Sequence, residues 1–413
     1  MTDIPTRSAY SVTLPTARER VLDPPPRFAE LREGSPITRL ALPDGTEGWL
    51  VTGHGLACDI LVDQRFSARQ DIRVPPKGRP PSPPAAPGFF VRMDAPEHTR
   101  YRRHLNGQFT QRRLRLLEPR IQEIAEEHVE RMLSRGAPAD LVADYALPLP
   151  SLVNCELLGV PYAQRERFQH DTMVAFDVGQ PQERISAALT GLNAFLADLV
   201  RRKRREPGED LISGLLEDSD LTEEEVTAMA FLLLVAGHET TASMLALGTF
   251  ALLTHPGQWR GALTDPERMA RLVDELLRYL TIMQFGAMRV ASEDMEVGGE
   301  RVQKGEAVVV SLAAANRDPL AFPDPDALDP DRKCPRHLAF GMGPHYCLGH
   351  QLARMELRLG YGTLFRRIPD LRLAVPPKSV RMRDTSAVYG VHSLPVEWGG
   401  EGVRTGTQNQ WCR

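Results

Sequence analysis

The chain has 413 residues, 42% of them hydrophobic and 25% charged, with Lys+Arg 50 against Asp+Glu 54 and a formal net charge of -4. That composition belongs to a globular protein, and the near-neutral balance excludes the strongly basic face that nucleic-acid binding requires. Five cysteines with no CxxC spacing suggest neither a disulfide framework nor a zinc site, and they suit a reducing cytoplasm.

A chain of this length can bury a core large enough to enclose a cofactor. Met1 to Tyr10 is polar and has no apolar stretch of the kind a signal peptide carries. The first ~65 residues mix helical runs with short strand-like ones such as Gly48 to Val51. Arg73 to Gly88 is crowded with proline, which fixes φ and removes a donor, so an irregular loop is expected. Loops of that kind are either surface insertions or covers over a binding site.

From Arg100 to roughly Arg260 the pattern is helical. Arg112 to Arg135 and Ala187 to Arg205 carry apolar residues at three- and four-residue spacing. The clearest helix opens at Thr222, where Thr222 and Glu225 make a capping box and Glu223 and Glu224 favour the positive end of the helix dipole. It should run to about Thr254, where His255-Pro256 stops it. At 1.5 Å per residue that is about 50 Å. The longest apolar run, Ala228 to Gly237, falls short of the ~20 residues that span a bilayer, so no membrane anchor is expected. Strand signals return around Met288 to Val310 and Ser386 to Val396. With no internal repeat and no linker, the expectation is one domain over 1–413, mainly α with a minor β-sheet region. The polar tail, 399–413, is expected to be disordered.

The most informative segment is Phe340-Gly341-Met342-Gly343-Pro344-His345-Tyr346-Cys347-Leu348-Gly349, followed by the helical pattern Leu352, Met355, Glu356, Leu359. Glycine permits close backbone approaches. A cysteine just before a helix N-terminus sits where amides converge and the dipole favours an anion. A lone cysteine is most often inert packing, but here three glycines surround one placed to hold a thiolate. A thiolate can serve as nucleophile or as metal ligand. His345 is two residues away, and no further orienting partner of a nucleophile is evident.

The stretch Phe340 to Arg354 resembles the haem-binding signature of cytochromes P450, F-G-x-G-x-H-x-C-x-G-x-x-L-A-R, at every fixed position. The resemblance implies the family fold, a long central helix over a haem b, with Cys347 as the axial metal ligand. Phe340, Gly341 and Gly349 would frame it. Thiolate donation favours O–O cleavage.

The long helix carries Ala236-Gly237-His238-Glu239-Thr240-Thr241, which resembles the family's oxygen-binding groove, A-G-x-[D/E]-T. By resemblance Gly237 makes room for dioxygen, Thr240 hydrogen-bonds the reduced oxygen and Glu239 relays protons. Glu275-Leu276-Leu277-Arg278 matches E-x-x-R, whose two ends share a helix face. Arg332, in Asp329-Pro330-Asp331-Arg332, resembles the third member of that ion network. Asp94 to Arg102 resembles D-P-P-E-H-T-R-x-R. By resemblance His98 and Arg102, with Arg289 and His345, hold the haem propionates, a task suited to arginine's donor fork.

The pocket that the resemblance implies takes Phe89 and Phe90 from the proline-rich loop and Val174 from a roof segment, Phe168 to Val178, that includes Met173 and Phe176. Leu233 and Ala236 come from the long helix, Phe285 from the wall 282–287, and Val388 from the last hairpin. The loop is expected to close over substrate and bury Phe89 or Phe90. Two residues depart from the family's habit: Ile282 stands where proline is common, and Tyr389 where arginine is common.

The function implied is insertion of one oxygen atom of O2 into a small organic substrate, of polyketide type by likeness to actinobacterial enzymes. Electrons would come from NAD(P)H through a separate reductase and ferredoxin to a cytoplasmic monomer. Arg102, Arg103, Arg112, Arg113 and Arg115 are candidate residues for docking an acidic ferredoxin. Other readings are a peroxide-driven or oxidative-coupling family member, which tends to lose the acid–threonine pair present here, and a haem sensor that turns nothing over.

Overall fold

A computed structural model describes residues 11–399, apart from 177–179, 218–219, 256, 258–259 and 334–335. Val178 and the tail beyond Gly399 lie outside the described residues, as do the side chains of Met173 and Phe176.

The helices are α1 (Arg27–Gly34), α2 (His54–Val62), α3 (Glu97–Gln108), α4 (Gln111–Arg135), α5 (Pro148–Leu158), α6 (Arg165–Phe176), α7 (Gln182–Arg205), α8 (Leu211–Leu216), α9 (Glu223–Thr254), α10 (Pro266–Leu280), α11 (Leu312–Ala315) and α12 (His350–Arg367). The strands are β1 (Val12–Thr13), β2 (Ile37–Ala41), β3 (Glu47–Val51), β4 (Phe66–Ser67), β5 (Ala139–Asp140), β6 (Ala287–Ala291), β7 (Met295–Val297), β8 (Glu300–Val302), β9 (Ala307–Val310), β10 (Arg372–Leu373) and β11 (Pro395–Glu397). The molecule is mainly helical with small sheets, as its sequence pattern suggests.

Helix α9 is the organising element. Both halves of its capping box form: the Thr222 side chain accepts from the Glu225 amide, and the Glu225 carboxylate accepts from the Thr222 amide at 2.8 Å. It packs against α5, α7, α10 and α12. From Thr241 to Leu252 every residue is buried, as expected of a helix that is apolar all round. An 18-residue window reaches a mean hydropathy of 1.4, long and apolar enough to cross a membrane by length and composition, yet 67% of it is buried inside the protein. The ten-residue apolar run therefore understates this helix, whose apolar surface meets other helices.

A six-stranded sheet runs in the order β1-β2-β3-β9-β6-β4. Its centre, β9, is buried at all four residues, which suits an unbroken Ala-Val-Val-Val run. Antiparallel pairing sets Arg289 of β6 opposite Val308 of β9. The strand expected over Ser386 to Val396 shrinks to β11. The preceding turn is held instead by single bridges, Met283 with Val388 and Met382 with Val391. There Gln284 Nε2 donates to the carbonyls of Asp384 at 2.5 Å and Ser386 at 3.0 Å, so a side chain replaces ladder bonds.

Glu275, Arg278 and Arg332 meet in the interior. Arg278 donates to both Glu275 oxygens, at 2.8 and 2.7 Å, and Arg332 Nε donates to Glu275 Oε1 at 3.1 Å. The spare guanidinium N–H groups of Arg278 reach the carbonyls of Asn316, Pro325 and Ala327. Asn316 Oδ1 in turn accepts from the Leu338 amide at 2.7 Å. The network thus pins the chain two residues before the cysteine loop.

Candidate active site

The cysteine loop is closed by its own backbone: the Cys347 amide donates to the Phe340 carbonyl at 2.9 Å. Gly343 has φ +72°, and a Cβ there would lie 2.4 Å from the Leu61 carbonyl oxygen at the end of α2, so only glycine lets the loop lie against that helix. Gly341, also left-handed at φ +70°, turns the chain after Phe340, and Gly349 precedes α12. Burial pushes the Cys347 thiol up, and the Gly349 amide donating to the sulfur, then Arg102 and Arg354, offset only part of that rise. The other described cysteines differ. Burial pushes the Cys155 thiol up to about 12, and Cys58 packs on His54 with Sγ 3.7 Å from Nδ1.

Around this loop four cationic or imidazole groups converge. The rings of His98 and His345 are 4.2 Å apart. Burial, then Arg102, lowers His98 to about 4, and burial, then Arg289, lowers His345 to about 3. Burial also lowers Arg102 and Arg289, with Cys347 opposing it at Arg102 and Asp94 at Arg289. Among the described residues neither arginine has a carboxylate within salt-bridge distance, and the buried His98 Nε2 has no hydrogen-bond partner. Buried cations without counter-ions are costly, so this donor set fits a dianion such as the two propionates of a haem. Among the described residues no group of three or more His, Cys, Asp or Glu could hold a metal ion. A metal at Cys347 would need its remaining donors from elsewhere, as a porphyrin supplies them. Arg102, also expected at a docking surface, is half-buried beside Cys347, whereas Arg103, Arg112, Arg113 and Arg115 are exposed.

On α9, Ala236 is exposed, and Leu233, Gly237, Glu239 and Thr240 are half-buried, an accessible stripe on a helix otherwise packed away. The Thr240 hydroxyl donates to the Ala236 carbonyl at 2.7 Å. Glu239 is not isolated, because Arg383 donates to its carboxylate. Sequence reasoning missed Arg383, since 144 residues separate it from Glu239. The Arg383 amide donates to the Gly390 carbonyl at 2.9 Å, and a Cβ at Gly390 would lie 2.9 Å from Ser243 Oγ. The 382–391 turn therefore rests directly on α9.

The pocket residues are only partly as expected. Phe90 is already in the core at 4% exposure, in a short 3-10 turn Phe90–Arg92, and its ring lies 6.2 Å from His98. The loop end is held because the Gly88 amide donates to the Tyr101 hydroxyl. Phe89 is half-buried, and the loop is exposed at Val74, 77–84, Ala86 and Pro87. Val388 is buried against Met283, Phe285 is 42% exposed, and Val174 is half-buried on α6.

A groove of about 760 Å³ runs beside the cysteine loop, lined by Arg115, Arg336, Tyr346, His350, Arg354 and Arg358 among others. Arg354 pairs with Asp274 and Arg358 with Glu118. Leu116, at the edge of the exposed α4 arginines, is 73% exposed.

Comparison with known proteins agrees with this geometry. The family model described as "Cytochrome P450" matches residues 268–395. "Cytochrome P450 105C1" of a Streptomyces species is 48% identical over 94% of this chain and 99% of its own length. Pentalenic acid synthase of Streptomyces avermitilis is 40% identical over 96% and 100%. The crystal structure of CYP105P1 in complex with filipin I superposes with a TM-score of 0.87 at 41% identity, covering 95% of this chain and 100% of that one. The chain belongs to the cytochrome P450 family. It is a haem monooxygenase acting on small molecules with O2 and electrons from a redox partner.

Proposed function

We propose that this chain inserts one oxygen atom of O2 into a polyketide-type secondary metabolite, by hydroxylation or epoxidation, as a single-domain cytoplasmic monomer. Haem supplies dioxygen activation and oxygen transfer. Cys347 would bind its iron, and the observation that carries this is the cysteine loop: the Cys347 amide is tied to the Phe340 carbonyl at 2.9 Å and Gly343 seats the loop on the end of α2, so the sulfur is held in one place with the Gly349 amide donating to it. His98, Arg102, Arg289 and His345 hold the propionates. Thr240 and Glu239 deliver protons along α9, and the stripe Leu233–Ala236 with Phe89, Val174, Phe285 and Val388 shapes the pocket. The complex of one relative with filipin I supports the polyketide class, and the name of another, a pentalenic acid synthase, supports secondary metabolism more broadly.

Electrons come from NAD(P)H through a ferredoxin reductase and an acidic ferredoxin. The groove beside Tyr346 and His350 suits that partner, because its arginines outnumber its carboxylates and it lies next to Cys347. Complementary charge of this kind speeds encounter.

The ligand assignment is tested by the CO complex of the reduced protein. Cys347→Ala should lose the red-shifted Soret band and Cys155→Ala should keep it; a Cys347→Ala protein that retained the band would overturn the assignment. Thr240→Ala should bind haem and substrate but divert NADH to hydrogen peroxide, since a positioned acid contributes about 10²–10⁴-fold.

A further inference from the structure

Helix α5 lies along α9, and most of its buried residues are apolar: Leu149, Val153, Cys155, Leu157 and Leu158. Asn154 breaks that pattern. It is 4% exposed, and its carboxamide lies against Gly237, where a Cβ would sit 2.9 Å from Asn154 Oδ1 and 3.3 Å from Nδ2. The three atoms nearest that Cβ position all belong to Asn154. The side-chain direction at Gly237 is therefore occupied by α5.

Asn154 Nδ2 is buried and has no hydrogen-bond partner among the described residues. A buried donor without an acceptor is costly, while an apolar side chain of the same size carries no such penalty. The place where this cost is borne is specific. Gly237 follows Ala236, whose carbonyl holds the Thr240 hydroxyl at 2.7 Å, and it precedes Glu239 by two residues.

We propose that Asn154 is a positioning residue for this turn of α9. When the Thr240 hydroxyl leaves the Ala236 carbonyl to serve the reacting oxygen, Asn154 Nδ2 donates to a main-chain carbonyl of the same turn. The turn thereby keeps a donor from α5 in place of the hydroxyl it has released. Gly237 is glycine because the Asn154 head fills its Cβ position. This rests on the reading of Thr240 as a proton-relay residue.

The test uses the holoprotein without added substrate. Dithionite-reduced protein is mixed with oxygen in a stopped-flow instrument, and the lifetime of the oxygenated form is followed. Thr240→Ala should shorten it several-fold, Asn154→Leu should do the same, and the double variant should be no worse than Thr240→Ala alone. Asn154→Leu should also raise the urea midpoint, because it removes the unpaired donor. Asn154→Ala provides the same lifetime readout if the leucine does not fold. In a second arm, Gly237→Ala should lower the urea midpoint and Gly237→Ala with Asn154→Ala should restore it.

If Thr240→Ala shortens the lifetime and both Asn154 variants leave it unchanged, the role of Asn154 is overturned and that of Thr240 stands. If Thr240→Ala leaves the lifetime unchanged, the relay reading falls and this inference falls with it. Failure of Asn154→Ala to restore the midpoint overturns the assigned contact with Gly237.

Discussion

Glu225→Gln should weaken the hold of α3, and hence of His98 and Arg102, in a pH-dependent way. Glu225 accepts Arg100 Nη1 at 2.6 Å, the Tyr101 hydroxyl at 2.7 Å and the Thr222 amide at 2.8 Å. Burial opposes ionisation, but these bonds outweigh it and hold the carboxyl at about 2 against an ordinary 4.5. At 1.36 kcal/mol per pH unit that difference has a ceiling of ~3 kcal/mol. Arg100 is about one-third exposed, so solvent screening reduces the charge part, and a loss of roughly 1.5 kcal/mol at pH 7 is expected. The sign follows from a depressed folded value. The stabilisation is full above pH 4.5 and is lost as pH falls from there toward 2. Glutamine keeps the shape but not the charge, so the gap between variant and wild type should narrow between pH 7 and pH 3.5. Urea midpoints of the holoprotein, read by far-UV circular dichroism and by the Soret band, measure both effects. The haem signal should be lost at lower urea in the variant, because α3 carries His98 and Arg102, which we propose to hold the propionates. Equal midpoints at pH 7, or a gap that does not change with pH, would refute the reasoning.

Further expectations concern the interior charges. Glu275→Gln leaves Arg278 buried without its carboxylate and should cost roughly 3–5 kcal/mol, read as a fall in the yield of haem-loaded protein; a normal yield and melting point would contradict the ion network. Arg383→Ala frees Glu239, and product formed per NADH should drop by about tenfold, a fraction of what a general acid contributes. Arg383→Lys should recover only part of it, since lysine lacks the fork; an alanine variant with unchanged coupling would remove Arg383 from the site. Glu356 is buried on α12, its Oε2 has no partner among the described residues, and burial alone raises its carboxyl well above the usual range. A raised value favours the folded state at low pH and penalises it as pH rises above 4.5. Glu356→Gln should therefore stabilise the protein by about 1–3 kcal/mol at pH 8, with the difference vanishing near pH 4. A glutamine variant less stable than wild type at pH 8 would show that the carboxylate has a partner.

Local chemistry was readable without coordinates wherever it depended on neighbours in sequence. The capping box at Thr222 and Glu225, the glycine-framed Cys347 and the i,i+3 pair Glu275–Arg278 all lie within ten residues, and each forms in the structure. Their geometry follows from helix periodicity and from what glycine alone can adopt, so spacing is sufficient to place them. Tertiary structure decided the rest. Arg383 reaches Glu239 across 144 residues, and Asn154 meets Gly237 through the packing of α5 on α9. No periodicity encodes either contact, because each depends on how two distant elements dock. The same docking set Arg102 half-buried beside Cys347, and it placed Phe90 in the core. A side chain's type sets what it can do, but whether it faces water, a cofactor or another helix is fixed only when the long-range contacts close around it.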